Sequence, residues 1–172
     1  RLTDHLEQPF VGARGDLPGY DFSGKTDPRI VVDLMTAAGV PAAVIHERMS
    51  ELRDAYLGRL AARLEPEHVR ILPGVVELLT ALAEREEIVL ALLTGNWERG
   101  AGIKLGSVGL RRFFEFGSFG DGQTDRRDLP PVALARAAEH CGREFRPEET
   151  WIVGDSLLDV DCARAHGIPC FA

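Results

Sequence analysis

The chain has 172 residues, of which 45% are hydrophobic and 27% are charged, and its formal net charge is −7. This composition is typical of a small α/β enzyme, and the excess of acids over bases argues against a nucleic-acid partner. No apolar run approaches the roughly 20 residues of a membrane span, and the first residues do not resemble a signal peptide. We therefore expect a cytoplasmic protein with neither a nucleic-acid nor a membrane partner, and the sequence does not indicate its oligomeric state.

The first third of the chain is predicted to be helical, although residues before Gly24 contain too many prolines and glycines to assign an element. Pro28 suits the first turn of a helix and Gly39 suits its stop, which predicts a helix from Pro28 to about Ala38. Further on, apolar residues recur every three or four positions on one helical face: Ile45, Met49, Leu52, Tyr56 and Leu60. We expect these helices to pack as a hairpin that ends near Glu65-Pro66.

The rest of the chain alternates helices with short apolar runs, the pattern of an α/β fold with a parallel sheet. A final strand–helix–strand unit includes the apolar run Trp151–Val153 and a helix from Leu157 to His166. The other predicted elements are a helix Val75–Ala83, a strand Ile88–Leu93, a helix from Glu98 to about Gly106 and a helix Val132–Cys141.

The predicted strand Ile88–Leu93 ends in the polar turn Thr94-Gly95-Asn96, which precedes a helix. A hydroxyl and backbone N–H groups at such a turn can hold a phosphate oxygen, because glycine allows close approach and a helix N-terminus carries partial positive charge. An ordinary turn that caps the next helix is the alternative. Thr94, Gly95 and Asn96 are therefore candidate phosphate-binding residues.

A second polar group, Asp155 with Asp159, follows the predicted strand Trp151–Val153. These carboxylates lie four residues apart and face the same way once the helix starts, and paired oxygen ligands suit a hard ion such as Mg²⁺. The alternative is that Asp155 or Ser156 only caps the helix. Because ligands of open parallel sheets bind at the carboxyl ends of the strands, both polar groups are expected at one edge.

Together these segments resemble the haloacid dehalogenase superfamily, most closely its phosphoglycolate-phosphatase-like branch with a helical cap. Leu92–Asn96 resembles the motif in which Thr binds the phosphoryl group, and Val153–Asp159 resembles the motif whose acids hold Mg²⁺. Ile71–Val75 resembles the return from cap to core, and Gly24–Pro28 resembles a loop near the start of the cap. The resemblance implies a Rossmann-like parallel sheet in residues 67–172 and a small α-helical cap domain in residues 1–66.

The family's nucleophile motif, an apolar strand ending in Asp-x-Asp-Gly-Thr, does not occur in these residues. In the family the first Asp forms an aspartyl-phosphate and the second is the general acid and base. Truncation is the simplest explanation. The resemblance places the absent first strand between the strand ending at Thr94 and the one ending at Asp155, so we expect a gap in the sheet and a poorly stable chain.

A basic residue that steadies the phosphorylated intermediate, usually a Lys before a Pro, is also missing from its family position. Arg126 or Arg127 is the candidate replacement, since both precede Pro130 and a guanidinium can grip phosphate with two N–H groups. Arg126 is preferred because the loop must turn toward the site before Pro130, and the alternative is a solvated arginine paired with a nearby Asp. Lys25 is a candidate for substrate binding, with a solvated surface lysine as its alternative.

The resemblance implies a Mg²⁺-dependent phosphohydrolase that acts on a small phosphorylated metabolite through an aspartyl-phosphate, of which this chain is an inactive truncated form. Thr94 and Asp155 would be catalytic together with Arg126 or Arg127, and Asp155 and Asp159 would bind the metal. Two alternatives remain open. One is a noncatalytic phosphate-binding relative, and the other is a dehalogenase-type hydrolase, which uses an Asp nucleophile without Mg²⁺.

Overall fold

A computed structural model describes residues 18–172, which form seven α-helices and four short strands. Most of the segment before Gly24 lies outside this range. The helices are α1 Asp27–Ala37, α2 Ala42–Glu47, α3 Met49–Arg63, α4 Val75–Ala83, α5 Glu98–Ser107, α6 Leu129–Cys141 and α7 Leu157–Ala165. The strands are β1 Leu92–Leu93, β2 Gly117–Ser118, β3 Ile152–Val153 and β4 Cys170–Phe171. No helix of residues 18–172 is long and apolar enough to cross a bilayer.

Helix α1 begins and ends where local chemistry predicts. Thr26 is its N-cap, because the Thr26 hydroxyl accepts a hydrogen bond from the Arg29 N–H and so satisfies one of the free donors of the first turn. Pro28 lies in that first turn, and Gly39 has a positive φ of 81° just after the helix. The predicted helix Pro28–Ala38 is confirmed to within one residue at each end.

The apolar stripe from Ile45 to Leu60, interpreted from its spacing as one helical face, is divided between two helices, α2 and α3. The break lies at Arg48, whose backbone angles (φ −101°, ψ 8°) are not helical and whose guanidinium pairs with Glu51 at 2.8 Å. The stripe still faces one side, because Ile45 and Leu52 are buried in one hydrophobic cluster. Apolar periodicity predicts which face of a helix is buried, but it does not predict whether the helix is continuous.

One hydrophobic cluster joins α1, α2 and α3 and also contains Trp97, which is only 2% exposed. Trp97 follows β1 in the chain and lies at the start of α5, yet its ring contacts Tyr56 of α3 at a centroid distance of 5.7 Å. Helix α5 also packs on α3, where Gly100 lies beside Leu57. The three helices α1, α2 and α3 form a helical layer, which thus packs against the turn that follows β1.

The strands form two separate parallel pairs. Leu92 and Leu93 of β1 pair with Gly117 and Ser118 of β2, while β3 pairs with β4 in the register Ile152 to Cys170. No strand of residues 18–172 is hydrogen-bonded to both pairs, so the sheet is interrupted between the pair β1–β2 and the pair β3–β4. The family resemblance predicts a gap between β1 and β3, which are one strand of each pair.

The predicted strand Ile88–Leu93 is wrong in length, because only Leu92 and Leu93 have a paired neighbour in the described part of the chain. Two other differences concern β2, which the sequence reading did not assign, and α6, which begins at Leu129 and not at Val132. Pro130 and Pro131 occupy the first turn of α6, where a missing N–H costs nothing.

Candidate functional site

The turn after β1, residues Thr94–Trp97, is built around the Thr94 hydroxyl. This hydroxyl oxygen accepts hydrogen bonds from the Asn96 backbone N–H at 3.2 Å and from the Asn96 side-chain amide at 2.9 Å. The Lys104 ammonium of α5 donates to the side-chain oxygen of Asn96. The predicted pair Thr94 and Asn96 is thus brought into direct contact, with a cation beside it.

Gly95 is held in this turn by close backbone packing. A Cβ at this position would overlap the backbone of Lys25 and Thr26, and the Gly95 carbonyl accepts a hydrogen bond from the Asp27 N–H at 2.7 Å. Only a residue without a side chain allows the loop before α1 to approach the turn so closely.

Ser156 and Asp159 form the start of α7. The Ser156 hydroxyl accepts a hydrogen bond from the Asp159 N–H at 3.3 Å and donates to an Asp159 carboxylate oxygen, Oδ2, at 2.7 Å, while the Ser156 N–H donates to the same oxygen at 3.1 Å. This is a capping box, so the capping alternative is realised by Ser156. Gly154 is required beside it, because a Cβ there would overlap the Asp159 carboxyl group.

Arg126 connects the two strand ends. Its Nη2 group lies 2.5 Å from Oδ1 of Asp159 and 3.5 Å from the carbonyl of Leu93, the last residue of β1, and Nη1 donates to the Gly24 carbonyl at 3.1 Å. Both charged side chains are nearly inaccessible, with 12% and 6% exposed. The Nε–H of Arg126 is buried and has no acceptor among residues 18–172.

Arg127 lies in a different environment, although it is the next residue. Its side chain is 63% exposed and forms an ion pair with Asp125 at 2.5 Å. The hydrogen bonds from Arg127 hold the pKa of the Asp125 carboxyl below its usual range. The structure therefore places Arg126 between the two strand ends and places Arg127 at the surface.

Asp155 is exposed, and no hydrogen bond or ion pair joins it to another described residue. Asp159 is 4% exposed and uses one oxygen for Arg126 and the other for Ser156. Within the described residues, no group of three acidic, histidine or cysteine side chains could hold a metal ion. Oxygen donors suit Mg²⁺, but this set fits the ion only if Asp159 leaves Arg126 and further ligands are added.

Lys25 faces a cavity of about 680 Å³ between the start of α1, the 3₁₀ helix Arg126–Asp128 and α7. Its ammonium lies 3.7 Å from the centroid of the Tyr20 ring and 4.0 Å from Asp33. Arg29, Arg126, Arg127 and Arg164 also line the cavity, whereas Thr94 and Asp155 do not. The Lys25 side chain thus shares a basic cavity with the two candidate arginines, while the Lys25 backbone packs against Gly95 of the Thr94 turn.

Two residues at the site were missed by the sequence reading. Lys104 lies about two helical turns beyond Asn96. This spacing places the two side chains on the same side of α5 and was the signal that could have identified Lys104. Asp27, the first residue of α1, accepts a hydrogen bond from the Trp97 N–H at 2.8 Å. No sequence pattern links Asp27 to a residue 70 positions away.

A family model described as haloacid dehalogenase-like hydrolase matches residues 28–172. Among curated relatives, phosphoglycolate phosphatase 1 of Pseudomonas aeruginosa is 35% identical over 59% of this chain and 36% of its own length. A phosphoglycolate phosphatase of Thiobacillus denitrificans is 36% identical over 60% of this chain and 44% of its own length.

A phosphoglycolate phosphatase of Pseudomonas putida matches more of the chain, with 27% identity over 83% of it and 50% of the relative. The chain thus spans half or less of the length of these curated relatives. Among solved structures, a haloacid dehalogenase-like family hydrolase from Streptococcus pneumoniae superposes with a TM-score of 0.57 at 16% identity, covering 98% of this chain and 73% of that one. This likeness shows the α/β fold. The chain belongs to the haloacid dehalogenase-like hydrolase family, in the branch that resembles phosphoglycolate phosphatases.

Proposed function

We propose that the protein containing this chain is a phosphatase that hydrolyses a small phosphorylated metabolite. The observation that carries this proposal is the position of Arg126, whose guanidinium contacts both the end of β1 and Asp159 at the start of α7. It joins the end of β1, directly before the Thr94 turn, to the Asp159 carboxylate. A hydroxyl, an amide and a guanidinium at one sheet edge are suited to hold a phosphoryl group.

In this proposal Thr94, Gly95 and Asn96 bind the phosphoryl oxygens, and Arg126 neutralises charge that develops during transfer. Arg126 is preferred to Arg127 because a buried guanidinium acts in a lower dielectric than an exposed one. Lys104, through Asn96, adds positive charge behind the turn. These groups bind and orient the phosphoryl group, and they supply no nucleophile.

The nucleophile is proposed to come from a strand outside these residues that fits between β1 and β3. Three features of residues 18–172 support this: the interrupted sheet, the buried Arg126 Nε–H for which these residues offer no acceptor, and the exposed apolar side chains on β3 and β4. Val153 is 73% exposed and Phe171 is 64% exposed. The chain would then be an inactive part of a phosphatase that works through an aspartyl-phosphate.

Mg²⁺ is the proposed metal, with Asp155 as the ligand that is free to bind it and Asp159 as the second. The bound ion would offset charge on the phosphoryl oxygens. Asp159 would contribute only after its contact with Arg126 is released, so Arg126 and the metal would compete for this carboxylate. The remaining oxygen ligands would come from outside the described residues.

Phosphoglycolate is the substrate to test first, because the relatives carry that name. Its second anionic group suits the basic cavity that Lys25 and Arg29 line beside Arg126. A cytoplasmic location and the absence of nucleic-acid and membrane partners remain predictions.

A noncatalytic phosphate-binding protein is the second candidate function. It is favoured by one observation, the absence of an apolar strand ending in Asp-x-Asp from the 172 residues. The two candidates differ in what lies upstream of Arg1. A coding sequence that continues into such a strand supports the phosphatase, and a start codon at or just before Arg1 supports the binding protein.

The test uses the full-length protein with phosphoglycolate, and with a haloacid as the control substrate. We expect Asp155→Asn to lower kcat by at least about 100-fold, because it removes a charged ligand at the reacting group. Titration calorimetry with Mg²⁺ alone should show weaker binding in the same variant. Asp128→Asn, which changes an exposed carboxylate on the nearby 3₁₀ helix, is the control. Turnover retained in Asp155→Asn would exclude the assignment.

A further inference from the structure

The start of α1 holds the Thr94 turn from the side of the helical layer. Asp27, the first residue of this helix, is 9% exposed and makes two contacts to the turn. Its carboxylate oxygen accepts a hydrogen bond from the Trp97 N–H at 2.8 Å, and its own N–H donates to the Gly95 carbonyl at 2.7 Å. One residue thus fixes two peptide groups of the turn.

The opposite side of the turn is fixed by β2 and the residues that follow it. The Thr94 N–H donates to the Ser118 carbonyl at 3.0 Å, and the Gly120 N–H donates to the Asn96 carbonyl at 2.9 Å. A Cβ at Gly120 would overlap the Gly95 carbonyl, so this side is in close contact as well. The turn is therefore held between the start of α1 on one side and β2 with the residues after it on the other. Within residues 18–172, Asp27 is the only charged side chain that is hydrogen-bonded to the backbone of the turn.

Asp27 occupies this position at an energetic cost. Burial raises the pKa of its carboxyl, and the hydrogen bond from Trp97 and the charge of Lys104 only partly oppose that effect. A buried carboxylate that has no ion pair within 4.0 Å among residues 18–172 is expensive to keep in a protein interior. Its hydrogen bond to the turn offsets part of this cost.

We propose that Asp27 is a positioning residue that sets the geometry of the phosphate-binding turn without touching the substrate. The inference rests on the proposed function, since it assigns phosphate to this turn. With the Trp97 and Gly95 peptide groups fixed, the Thr94 hydroxyl and the Asn96 amide are held in the arrangement that binds a phosphoryl group. Without the carboxylate, the Trp97 N–H loses its acceptor and the turn relaxes away from α1.

The test measures binding of inorganic phosphate to the full-length protein by titration calorimetry, together with kcat and KM. Asp27→Ala should weaken phosphate binding at least about ten-fold, a change that corresponds to a loss of about 1.4 kcal/mol. Asp27→Asn should stay within a factor of about three, because its amide oxygen still accepts from the Trp97 N–H. A thermal melt of each variant verifies that the protein is folded at the assay temperature.

Asp121→Ala is the matched control. The exposed Asp121 carboxylate accepts a hydrogen bond from the Glu98 N–H at 2.7 Å, one residue beyond Trp97 at the start of the same helix. This variant removes one bond of the same kind outside the Thr94 turn, so its phosphate affinity should equal that of the wild type. If Asp27→Ala does not fold, Asp27→Ser, which keeps a small polar side chain at the first residue of α1, takes its place and should show the same loss.

Three outcomes would overturn the inference: wild-type affinity in Asp27→Ala, no rescue in Asp27→Asn, or an equal loss in Asp121→Ala. These differ from failure of the proposed function. A wild-type protein that neither binds inorganic phosphate nor hydrolyses phosphoglycolate removes both proposals. A wild type that does both, with an unchanged Asp27→Ala variant, removes only the role of Asp27.

Discussion

Asp27 and Arg126 show how burial changes what a charged residue does. Among residues 18–172, Asp27 has one hydrogen bond to its carboxylate from the backbone and no ion pair within 4.0 Å, while Arg126 is paired with Asp159 in a nearly solvent-free setting. In both cases the charge has been removed from water and must be compensated by the protein. Stability measurements can therefore separate these residues from their exposed neighbours.

The pH dependence of stability should reveal the buried charge of Asp27. Its folded-state pKa is raised above the ordinary value of 3.8 by burial, so folding favours the protonated form. Stability is then fully present below the unfolded pKa and falls as the pH rises through the folded value. Asp27→Asn cannot ionise and keeps the acceptor, so its melting temperature should exceed that of the wild type at pH 7 and match it near pH 3. A wild type that is more stable at pH 7 would contradict this.

Arg126 and its neighbour Arg127 provide a matched pair for urea denaturation. Arg126→Ala should destabilise the protein by about 3 kcal/mol, because it leaves the Asp159 carboxylate buried without its partner. Arg127→Ala should change the free energy of unfolding by less than about 0.5 kcal/mol, since its partner Asp125 stays hydrated. Equal effects of the two substitutions would show that the contact between Arg126 and Asp159 does not stabilise the fold.

At the level of elements, helices were more predictable than strands. Helix α1 carries its own start and stop signals in Thr26, Pro28 and Gly39, and α4 matched its predicted bounds, Val75–Ala83. A strand needs a neighbour, and the run from Ile88 forms a ladder only at Leu92 and Leu93 because no second partner lies within the described residues. The break between α2 and α3 at Arg48 was not predicted, because the spacing of the apolar residues continues through it.

In the candidate site, too, local features could be predicted from the sequence and contacts between distant residues could not. The polar residues after β1 and β3 could be found because they interrupt apolar runs, and Ser156 could be recognised as a cap. The contacts of Asp27 with Trp97 and of Arg126 with Asp159 join positions 70 and 33 residues apart. Such contacts arise from tertiary packing, which single-sequence patterns do not encode. Proposed roles for Thr94, Asp155 and Lys25 remain predictions.

For the whole molecule, the interrupted sheet predicts low stability of the 172-residue chain. Large apolar side chains close to β3 in the chain are exposed, including Trp151 at 57% and Leu157 at 84%. Each buried strand that lacks a neighbour also leaves backbone groups unpaired, at about 1–3 kcal/mol for each group. We expect the isolated chain to melt at lower temperature and less cooperatively than the full-length protein, as followed by circular dichroism and calorimetry. A sharp melt at high temperature would instead indicate a rearranged sheet.

The burial of Trp97 among α1, α2 and α3 has a mechanical consequence. Its indole belongs to the hydrophobic cluster of the helical layer, and its backbone N–H is bonded to Asp27 of α1. Sliding the helical layer over the Thr94 turn would expose this ring and break that bond together. The start of α1 and the turn therefore behave as one stiff unit, and a bending movement of the protein must take place in other segments.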